Sequence, residues 1–304
     1  MTQLLNALPG ALAQGLIWGV MAIGVYITYK VLDIADLTVD GSIYTGAAVC
    51  TMLLLGGQSP WLALLCAVLA GVLAGAVTGL LHVGLGIPPI LAGILTQMVL
   101  WSVNLKLLGK ANQALPARTT PVLLSQMDVG GALPVLLGFC VVLVALLVLF
   151  FGTELGCALR ATGCNPVMSR AQGVNTGLMK VIGLALSNGV VALSGALLCQ
   201  YQGYTDVNMG RGAVVIGLAA VVIGQAVLGR RGGRMAVQLG GVILGAVIYY
   251  IVYQVIIFAG FDTDLLKMFS AVVVAVFLGA PHVKAQLKAH SRSKKGDSGH
   301  AENE

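Results

Sequence analysis

Long, almost uncharged apolar runs are the feature that most constrains how this chain can fold. They alternate with short polar segments over most of its 304 residues. A helix that crosses the hydrocarbon core of a bilayer needs roughly 20 consecutive apolar residues. Hydrophobic residues make up 58% of the chain and charged residues only 9%, which leaves too few polar side chains to cover a water-soluble surface. The sequence therefore predicts an all-α, polytopic membrane protein in a lipid bilayer.

The apolar runs predict nine transmembrane helices. The predicted spans are residues 11–29, 41–55, 61–83, 90–108, 133–151, 179–199, 213–228, 235–258 and 265–278. The second run is short and flanked by glycine, so it either crosses the membrane or is re-entrant. No charged segment precedes the first run, which we interpret as a retained helix and not a cleaved signal peptide. Residues 1–280 would form one transmembrane domain, and residues 281–304 a basic, disordered tail.

The distribution of lysine and arginine predicts the orientation. An odd number of spans puts the two termini on opposite sides. If residues 154–180 and the tail share one side, that side carries most of the basic residues, among them Arg160 and Arg170. Cytoplasmic loops carry such an excess. We expect this side to be cytoplasmic and the N-terminus to lie outside, whereas a re-entrant second span would reverse the N-terminus. The excess of basic residues in cytoplasmic loops also accounts for the net charge of +6, so this charge does not indicate nucleic-acid binding.

Several polar residues lie next to or inside the apolar runs. Asp36, Thr38 and Asp40 fall between the first two spans, where they indicate either the mouth of a translocation path or an ordinary turn, with Thr38 or Asp40 capping the second span. Polar side chains also occur within spans, where each is a candidate either for hydrogen bonds between helices or for lining a wet cavity. They are Gln97, Ser102, Asn104 and Asn188.

Motifs for enzymatic chemistry are absent. The sequence contains no G-x-x-x-x-G-K-[ST] phosphate loop, no H-E-x-x-H and no G-x-S-x-G. The six cysteines form no C-x-x-C pair, and the four histidines are scattered, so neither a metal site nor a disulfide is predicted. We expect no catalytic residue and no cofactor bound by this chain. All eleven acidic residues fall in loops, at span ends or in the tail, which disfavours transport driven by an ion gradient.

A polar, basic segment, residues 154–180, separates the fifth and sixth spans. Asn165 is a good helix N-cap, Pro166 suits the first helical position, and Gly173 is placed to end the helix about two turns later. A short capped helix in a loop between spans is typical of a docking element.

At this point the chain resembles a family, the permease subunits of bacterial ABC importers in the group that contains the branched-chain amino acid and ribose permeases. Four stretches carry the resemblance: GLIWGVMAIGVYITYKVLDIADLTVDGSIYTGAAV, ILTQMVLWSVNLKLLGKAN, ELGCALRATGCNPVMSRAQGVNT and LSNGVVALSGALLCQYQGYTDVNMGRGAVVIGLAAVVIG. The second and fourth are most similar to a branch linked to tryptophan and tyrosine uptake. The match covers about residues 12–280 and implies a fold like that of type II ABC importers.

The resemblance implies a permease homodimer or pseudo-dimer in the bacterial cytoplasmic membrane. Its partners would be a cytoplasmic ATPase subunit, which binds ATP and Mg, and an extracytoplasmic solute-binding protein. Residues 153–178 would be the loop that couples the permease to the ATPase. The implied coupling residues are Glu154, Gly156, Arg160, Gly163, Asn165, Pro166, Arg170, Ala171, Gly173 and Asn175. The sequence departs from the branch at Arg211, where a smaller or apolar residue is implied, and at Gln225, where Glu is implied.

The expected function is ATP-driven import of a small polar solute, foremost an amino acid and among these an aromatic one. Three alternatives stay open: import of nucleosides or sugars by the same machinery, a secondary transporter coupled to an ion gradient, and a membrane-embedded structural or assembly subunit.

Overall fold

This computed structural model describes residues 2–116, 120–228 and 234–258, together with residues 268, 272, 275 and 279. The described residues form ten α-helices and one two-stranded antiparallel sheet. The helices are α1 (Thr2–Tyr26), α2 (Val39–Leu55), α3 (Pro60–Gly84), α4 (Pro89–Leu108), α5 (Val129–Gly152), α6 (Glu154–Cys164), α7 (Pro166–Ala171), α8 (Thr176–Gln202), α9 (Ala213–Leu228) and α10 (Met235–Phe258). A π-helical turn, Ile27–Val31, extends α1, and the strands are β1 (Asn112–Ala114) and β2 (Tyr204–Asp206).

Eight of these helices coincide with the first eight predicted spans. Six of them, α1 with its extension, α3, α4, α5, α8 and α10, are long and apolar enough to cross a membrane, and α2 and α9 are shorter apolar helices. The prediction of an all-α, polytopic membrane protein is therefore confirmed. The ninth predicted span, apart from residues 268, 272 and 275, and the tail lie outside the described residues, as do Arg230 and Arg231 of the basic turn before α10.

Glycines allow the central helices to pack with their backbones in contact. A Cβ atom on Gly46 of α2 would meet the backbone of Ala192 in α8, and one on Gly195 of α8 would meet the backbone of Ile43 in α2. Gly75 of α3 lies equally close to the backbone of α8. Small residues bring helices together in this way within lipid, where no hydrophobic force drives them together. Through these contacts α2 and α3 pack directly on α8, which is the buried centre of the bundle.

The helix ends lie on two opposite faces of the bundle. On the first face, the α6–α7 face, the Tyr26 hydroxyl donates to Gln238 Oε1 at 2.6 Å, and Lys180 Nζ contacts His82 Nε2 at 3.3 Å. These bonds bring together the end of α1, the start of α10, the end of α3 and the start of α8. The opposite face, the β face, carries the β1–β2 sheet. Thr51, near the end of α2, hydrogen-bonds to Thr205 in β2 at 2.7 Å, so α2 runs toward the β face and does not turn back.

An irregular segment, residues 32–38, connects α1 to α2. It starts after the π-helical turn, and Asp33 adopts a φ of 55°, which is unusual outside glycine. The segment packs against other helices: a Cβ on Gly93 of α4 would lie 2.8 Å from the backbone nitrogen of Leu37. Irregular backbone at membrane depth is tolerated only where protein surrounds it or where it lines a cavity. The break explains why the second predicted span is short.

Candidate functional site

A cavity of about 500 Å³ lies between α2, α4 and the loop that leads from β2 into α9. It is lined by Asp40, Gly41, Tyr44, Gln97, Met98, Trp101, Ser102, Val207 and Arg211. Three predicted path residues, Asp40, Gln97 and Ser102, come from different turns of α2 and α4 and meet here. The helices bring them together because Gly41 lets α4 approach closely: a Cβ there would lie 3.2 Å from the Cα of Gln97.

Asp40 fixes the start of α9 beside the cavity. Its Oδ2 accepts the Gly212 N–H and its Oδ1 accepts the Val214 N–H, both at 3.0 Å. The first N–H groups of a helix lack partners within the helix and attract negative charge. The expectation that Asp40 would cap its own helix, α2, is therefore wrong, because the carboxyl group is used by α9.

The remaining polar groups of the cavity have few partners of their own. The Ser102 hydroxyl makes one long bond of 3.4 Å to the Met98 carbonyl. Tyr44 is only 2% exposed, and its hydroxyl has no hydrogen-bond partner among the described residues. The Arg211 side chain is exposed. Its backbone is held in place by a hydrogen bond from the Arg211 N–H to the Asn208 carbonyl at 3.1 Å.

Two other predicted path residues, Asp36 and Asn188, form a buried network with Thr38 and Ser42. Asn188 donates to Asp36 Oδ2 at 2.7 Å and to the Leu184 carbonyl at 3.0 Å, and it accepts the Ser42 hydroxyl at 2.6 Å. Asp36 Oδ1 also accepts the Thr38 N–H at 2.8 Å. The network therefore joins α8 and α2 to the irregular segment, and it satisfies the start of α2.

Thr38 and Asn104 also lie in helix contacts, away from the cavity. Thr38 occupies the N-cap position of α2, as expected, but its hydroxyl pairs with Thr78 of α3 at 2.8 Å and makes no capping hydrogen bond. Asn104 Nδ2 donates to the Thr45 hydroxyl at 2.8 Å, and Asn104 is 1% exposed. Both residues tie neighbouring helices together.

On the α6–α7 face, α7 follows the predicted capping. Asn165 Oδ1 accepts the N–H groups of Val167 at 3.1 Å and Met168 at 3.0 Å, and Pro166 is the first helical residue. The helix ends at Ala171, and Gly173 adopts the left-handed conformation with a φ of 82°. The helix is shorter than predicted. Its apolar side chains point outward, because Val167 is 76% exposed and Met168 is 63% exposed.

The other candidate coupling residues hold this loop to the bundle. Arg170 Nε donates to Thr176 at the start of α8 at 2.7 Å, and Arg160 Nη2 donates to the Phe151 carbonyl at the end of α5 at 2.9 Å. Gly163 packs against the Val31 carbonyl, and Gly156 against the backbone of Phe150 and Phe151, with no room for a side chain at either position. Asn175 caps α8 by accepting the Leu178 N–H at 3.1 Å, and Glu154 lies in the first turn of α6.

Sequence reasoning missed α6 as a separate helix, and it missed six of the nine residues that line the cavity, Gly41 among them. Thr153 is a signal that could have found α6, because its hydroxyl accepts the Gly156 N–H and Glu154 follows in the first turn. The cavity residues without a sequence signal are Tyr44, Met98, Trp101, Val207 and Arg211. Arg211, which the sequence indicated only as a departure from the branch, lines the cavity with Asp40.

Comparison with known proteins shows that the sequence of this chain is similar to those of transport permeases. The family described as the permease component of branched-chain amino acid transport systems matches residues 8–280. A tyrosine transport system permease protein of Clostridioides difficile is 37% identical over 287 residues, covering 93% of this chain and 94% of the relative. An uncharacterized protein of Rickettsia prowazekii is 33% identical over 279 residues, covering 91% and 98%.

A more distant relative is the permease protein LsrC of the autoinducer 2 import system of Escherichia coli. It is 29% identical over 216 residues, which cover 67% of this chain and 60% of the relative. No solved structure gives a significant match.

Proposed function

The chain belongs to the family of permease components of branched-chain amino acid transport systems, and on that premise we propose that it is the membrane-spanning subunit of an ATP-driven importer for a small polar solute, foremost an amino acid, with aromatic amino acids the leading class. The name of the tyrosine transport relative supports this substrate class. ATP and Mg bind to a separate ATPase subunit, and an extracytoplasmic protein delivers the solute. The assembly lies in the bacterial cytoplasmic membrane, with the α6–α7 face inside, the N-terminus outside and the C-terminus inside.

The exposed apolar pair on α7 is the observation that carries this proposal. Val167 and Met168 project from a helix of six residues in a polar, basic loop. Large apolar side chains exposed next to polar surroundings mark contact sites for partner proteins. The sequence carries no phosphate loop of its own, so the partner proposed here is the ATPase subunit.

Contacts from the loop into the bundle supply a route for coupling. Arg170 ties α7 to α8 through Thr176, and α8 carries Asn188, which binds Asp36. Gly163 ties α6 to the π-helical turn just before the same irregular segment. A displacement of α6 and α7 by the ATPase therefore also shifts the irregular segment, which leads into Asp40 and the cavity. Rigid elements with two arrangements are the physical basis of such coupling.

The cavity supports a dimer of permeases. Met98 and Trp101 line it from α4, and they are 65% and 43% exposed, so the cavity is open along this helix. A second copy facing α4 would close it and complete a path between the two subunits. We propose a homodimer with the path at its centre.

The test is uptake into proteoliposomes that contain this permease and the ATPase, with the solute-binding protein added. Radiolabelled L-tyrosine, L-tryptophan, L-leucine, adenosine and ribose are compared as solutes. We expect uptake of an amino acid that requires both ATP and the binding protein. Uptake of adenosine or ribose alone would contradict the proposed substrate class. Uptake driven by a proton or sodium gradient without ATPase would contradict the importer and indicate a secondary transporter.

The docking surface is tested separately by co-purification of the ATPase in mild detergent. The variant carrying Val167→Asp and Met168→Asp should retain about ten-fold less ATPase than the wild type, since it places two charges in an apolar contact. The matched control is Met127→Asp, because Met127 is 85% exposed but precedes α5 on the β face. Full retention of the ATPase by the α7 variant would show that α7 is not the docking helix.

A further inference from the structure

We propose that the cavity between α2, α4 and the β2–α9 loop is a binding site for a zwitterionic amino acid with a large apolar or aromatic side chain. In this site Arg211 binds the carboxylate of the ligand and Asp40 binds its ammonium group. The inference rests on the proposed function and extends it, because it assigns solute recognition to the permease itself as well as to the delivering protein.

The first observation is that one cavity carries both signs of charge. Asp40 and Arg211 both line it. Asp40 is held in place by the Gly212 and Val214 N–H groups, and these two bonds leave acceptor positions on its oxygens. Within the described part of the chain, the Arg211 guanidinium makes no hydrogen bond, although it offers five N–H donors in a planar fork that fits a carboxylate. Both ends of a zwitterion therefore find an opposite charge.

The second observation is independent of the charges. Tyr44 lines the cavity, and its hydroxyl is buried and has no partner among the described residues. Nearly all buried polar atoms in folded proteins are hydrogen-bonded, and an exception needs an explanation such as a bound molecule. When the Tyr44 side chain turns toward the cavity that it lines, a ligand carboxylate or amino group supplies this missing partner. Gln97 and Ser102 add further polar groups on the α4 side.

The third observation concerns the side chain of the ligand. Trp101, Met98 and Val207 form an apolar part of the cavity wall. An aromatic ring packs well against tryptophan and against the thioether of methionine. The volume of about 500 Å³ lies in the usual range for small-molecule sites.

The charges and the apolar wall together exclude other small solutes. A sugar or nucleoside would leave the Arg211 and Asp40 charges without partners, which is costly in a partly desolvated site. A metal cation would be repelled by Arg211. A small amino acid such as glycine would leave Trp101 and Met98 uncovered. An amino acid with a large apolar side chain satisfies all three parts of the cavity at once.

Trp101 provides a local signal for the test. The other two tryptophans, Trp18 and Trp61, are replaced by phenylalanine, which leaves Trp101 as the single fluorophore. The protein is placed in lipid nanodiscs without ATPase or binding protein and titrated with L-phenylalanine, which does not absorb where tryptophan is excited. Phenethylamine, which lacks the carboxylate, and 3-phenylpropionate, which lacks the ammonium group, are titrated in parallel.

We expect a saturable change in Trp101 emission with L-phenylalanine. Each analogue should bind at least about ten-fold more weakly than L-phenylalanine. Arg211→Gln should weaken L-phenylalanine binding about ten-fold or more, since a charge-assisted hydrogen bond is lost, and should leave phenethylamine binding unchanged. We substitute Arg211 and not Asp40, because Asp40 also binds the first N–H groups at the start of α9, so its loss would disturb the fold. The matched control is Lys110→Gln, which removes an exposed positive charge just after α4. It should bind all three probes like the parent protein.

Three outcomes would overturn the inference. They are the absence of a saturable response to L-phenylalanine, equal affinity for all three probes, and an equal loss for L-phenylalanine and phenethylamine in Arg211→Gln. These failures differ from failure of the proposed function. If ATP-driven amino acid uptake proceeds with unchanged kcat and KM in Arg211→Gln and no binding is seen, only this site is wrong. If Arg211-dependent binding is seen without any ATP-driven uptake, the importer is wrong and the site stands.

Discussion

Asn188 and Gln97 are both amides in apolar helices, but their surroundings give them different roles. Asn188 is fully buried and uses its amide group and its oxygen in three hydrogen bonds. Gln97 is half-buried and lines the cavity, where a solute or water can reach it. At this scale the sequence predicted that both residues are polar interruptions of a span. It could not separate helix contact from cavity lining, because the difference depends on which side chains the neighbouring helices bring.

Replacing Asn188 with leucine should therefore destabilise the fold, and replacing Gln97 with leucine should not. Hydrogen bonds between helices in membrane proteins contribute about 0.6 kcal/mol each on average, so the loss of the two bonds to Asp36 and Ser42 should lower the free energy of unfolding by about 1 kcal/mol. Gln97→Leu should change it by less than about 0.5 kcal/mol and reduce uptake instead. Unfolding by SDS in mixed micelles measures the first effect, and proteoliposome uptake the second.

The matched control for Asn188 is Asn104→Leu, which removes one interhelical hydrogen bond, that to Thr45, and should cost less. Equal destabilisation by Asn188→Leu and Gln97→Leu would contradict the division between buried network and cavity.

At the scale of elements, α7 was predictable because its signals are local. Asn165, Pro166 and Gly173 act through their own backbone neighbours, and the structure has each in the predicted position. The β1–β2 sheet was not predictable, because strands of three residues pair across a long stretch of chain and have no pattern of their own. The irregular segment before α2 was not predictable for the same reason, since its Thr38 and Asp36 side chains bond to Thr78 of α3 and Asn188 of α8, far along the chain.

The end of α7 gives the second prediction. Gly173 has a φ of 82°, and a Cβ added there would meet no atom of the described chain within 4 Å, so only backbone conformation restricts this site. Gly173→Val should strain the left-handed turn by about 1–2 kcal/mol, shift the link to α8 and uncouple ATP hydrolysis from uptake. Gly173→Asn should preserve coupling, because asparagine adopts this conformation readily. The measurement is the ratio of solute imported to ATP hydrolysed in proteoliposomes.

Arg170→Glu should have the same uncoupling effect by a different cause, since it removes the bond from Arg170 Nε to Thr176. If Gly173→Val and Gly173→Asn transport equally well, the geometry of this turn does not matter for coupling and the route through α8 is wrong.

For the whole molecule, the sequence predicted the number and order of the described spans because each span is long enough to be read by itself. It did not predict their arrangement around α8. That arrangement depends on glycines such as Gly46 and Gly195, which let helix backbones come into contact. Of the cavity, the sequence predicted Asp40, Gln97 and Ser102, and the aromatic and basic residues opposite them became apparent only when α2, α4 and the β2–α9 loop were brought together.

The orientation of the whole molecule gives the last prediction, and the native cysteines can test it. Cys157 and Cys164 are exposed on α6, whereas Cys50, Cys66, Cys140 and Cys199 lie within α2, α3, α5 and α8. A membrane-impermeant maleimide reacts with thiolates in water, so only the α6 pair should be labelled. With the α6–α7 face inside, labelling should occur in inside-out vesicles and not in intact spheroplasts. In a variant with Cys157→Ser and Cys164→Ser, the added change Met127→Cys should give the opposite pattern, because Met127 lies on the β face. Labelling of the α6 cysteines in intact spheroplasts would reverse the orientation, and an ATPase docked on α7 could then not reach cytoplasmic ATP.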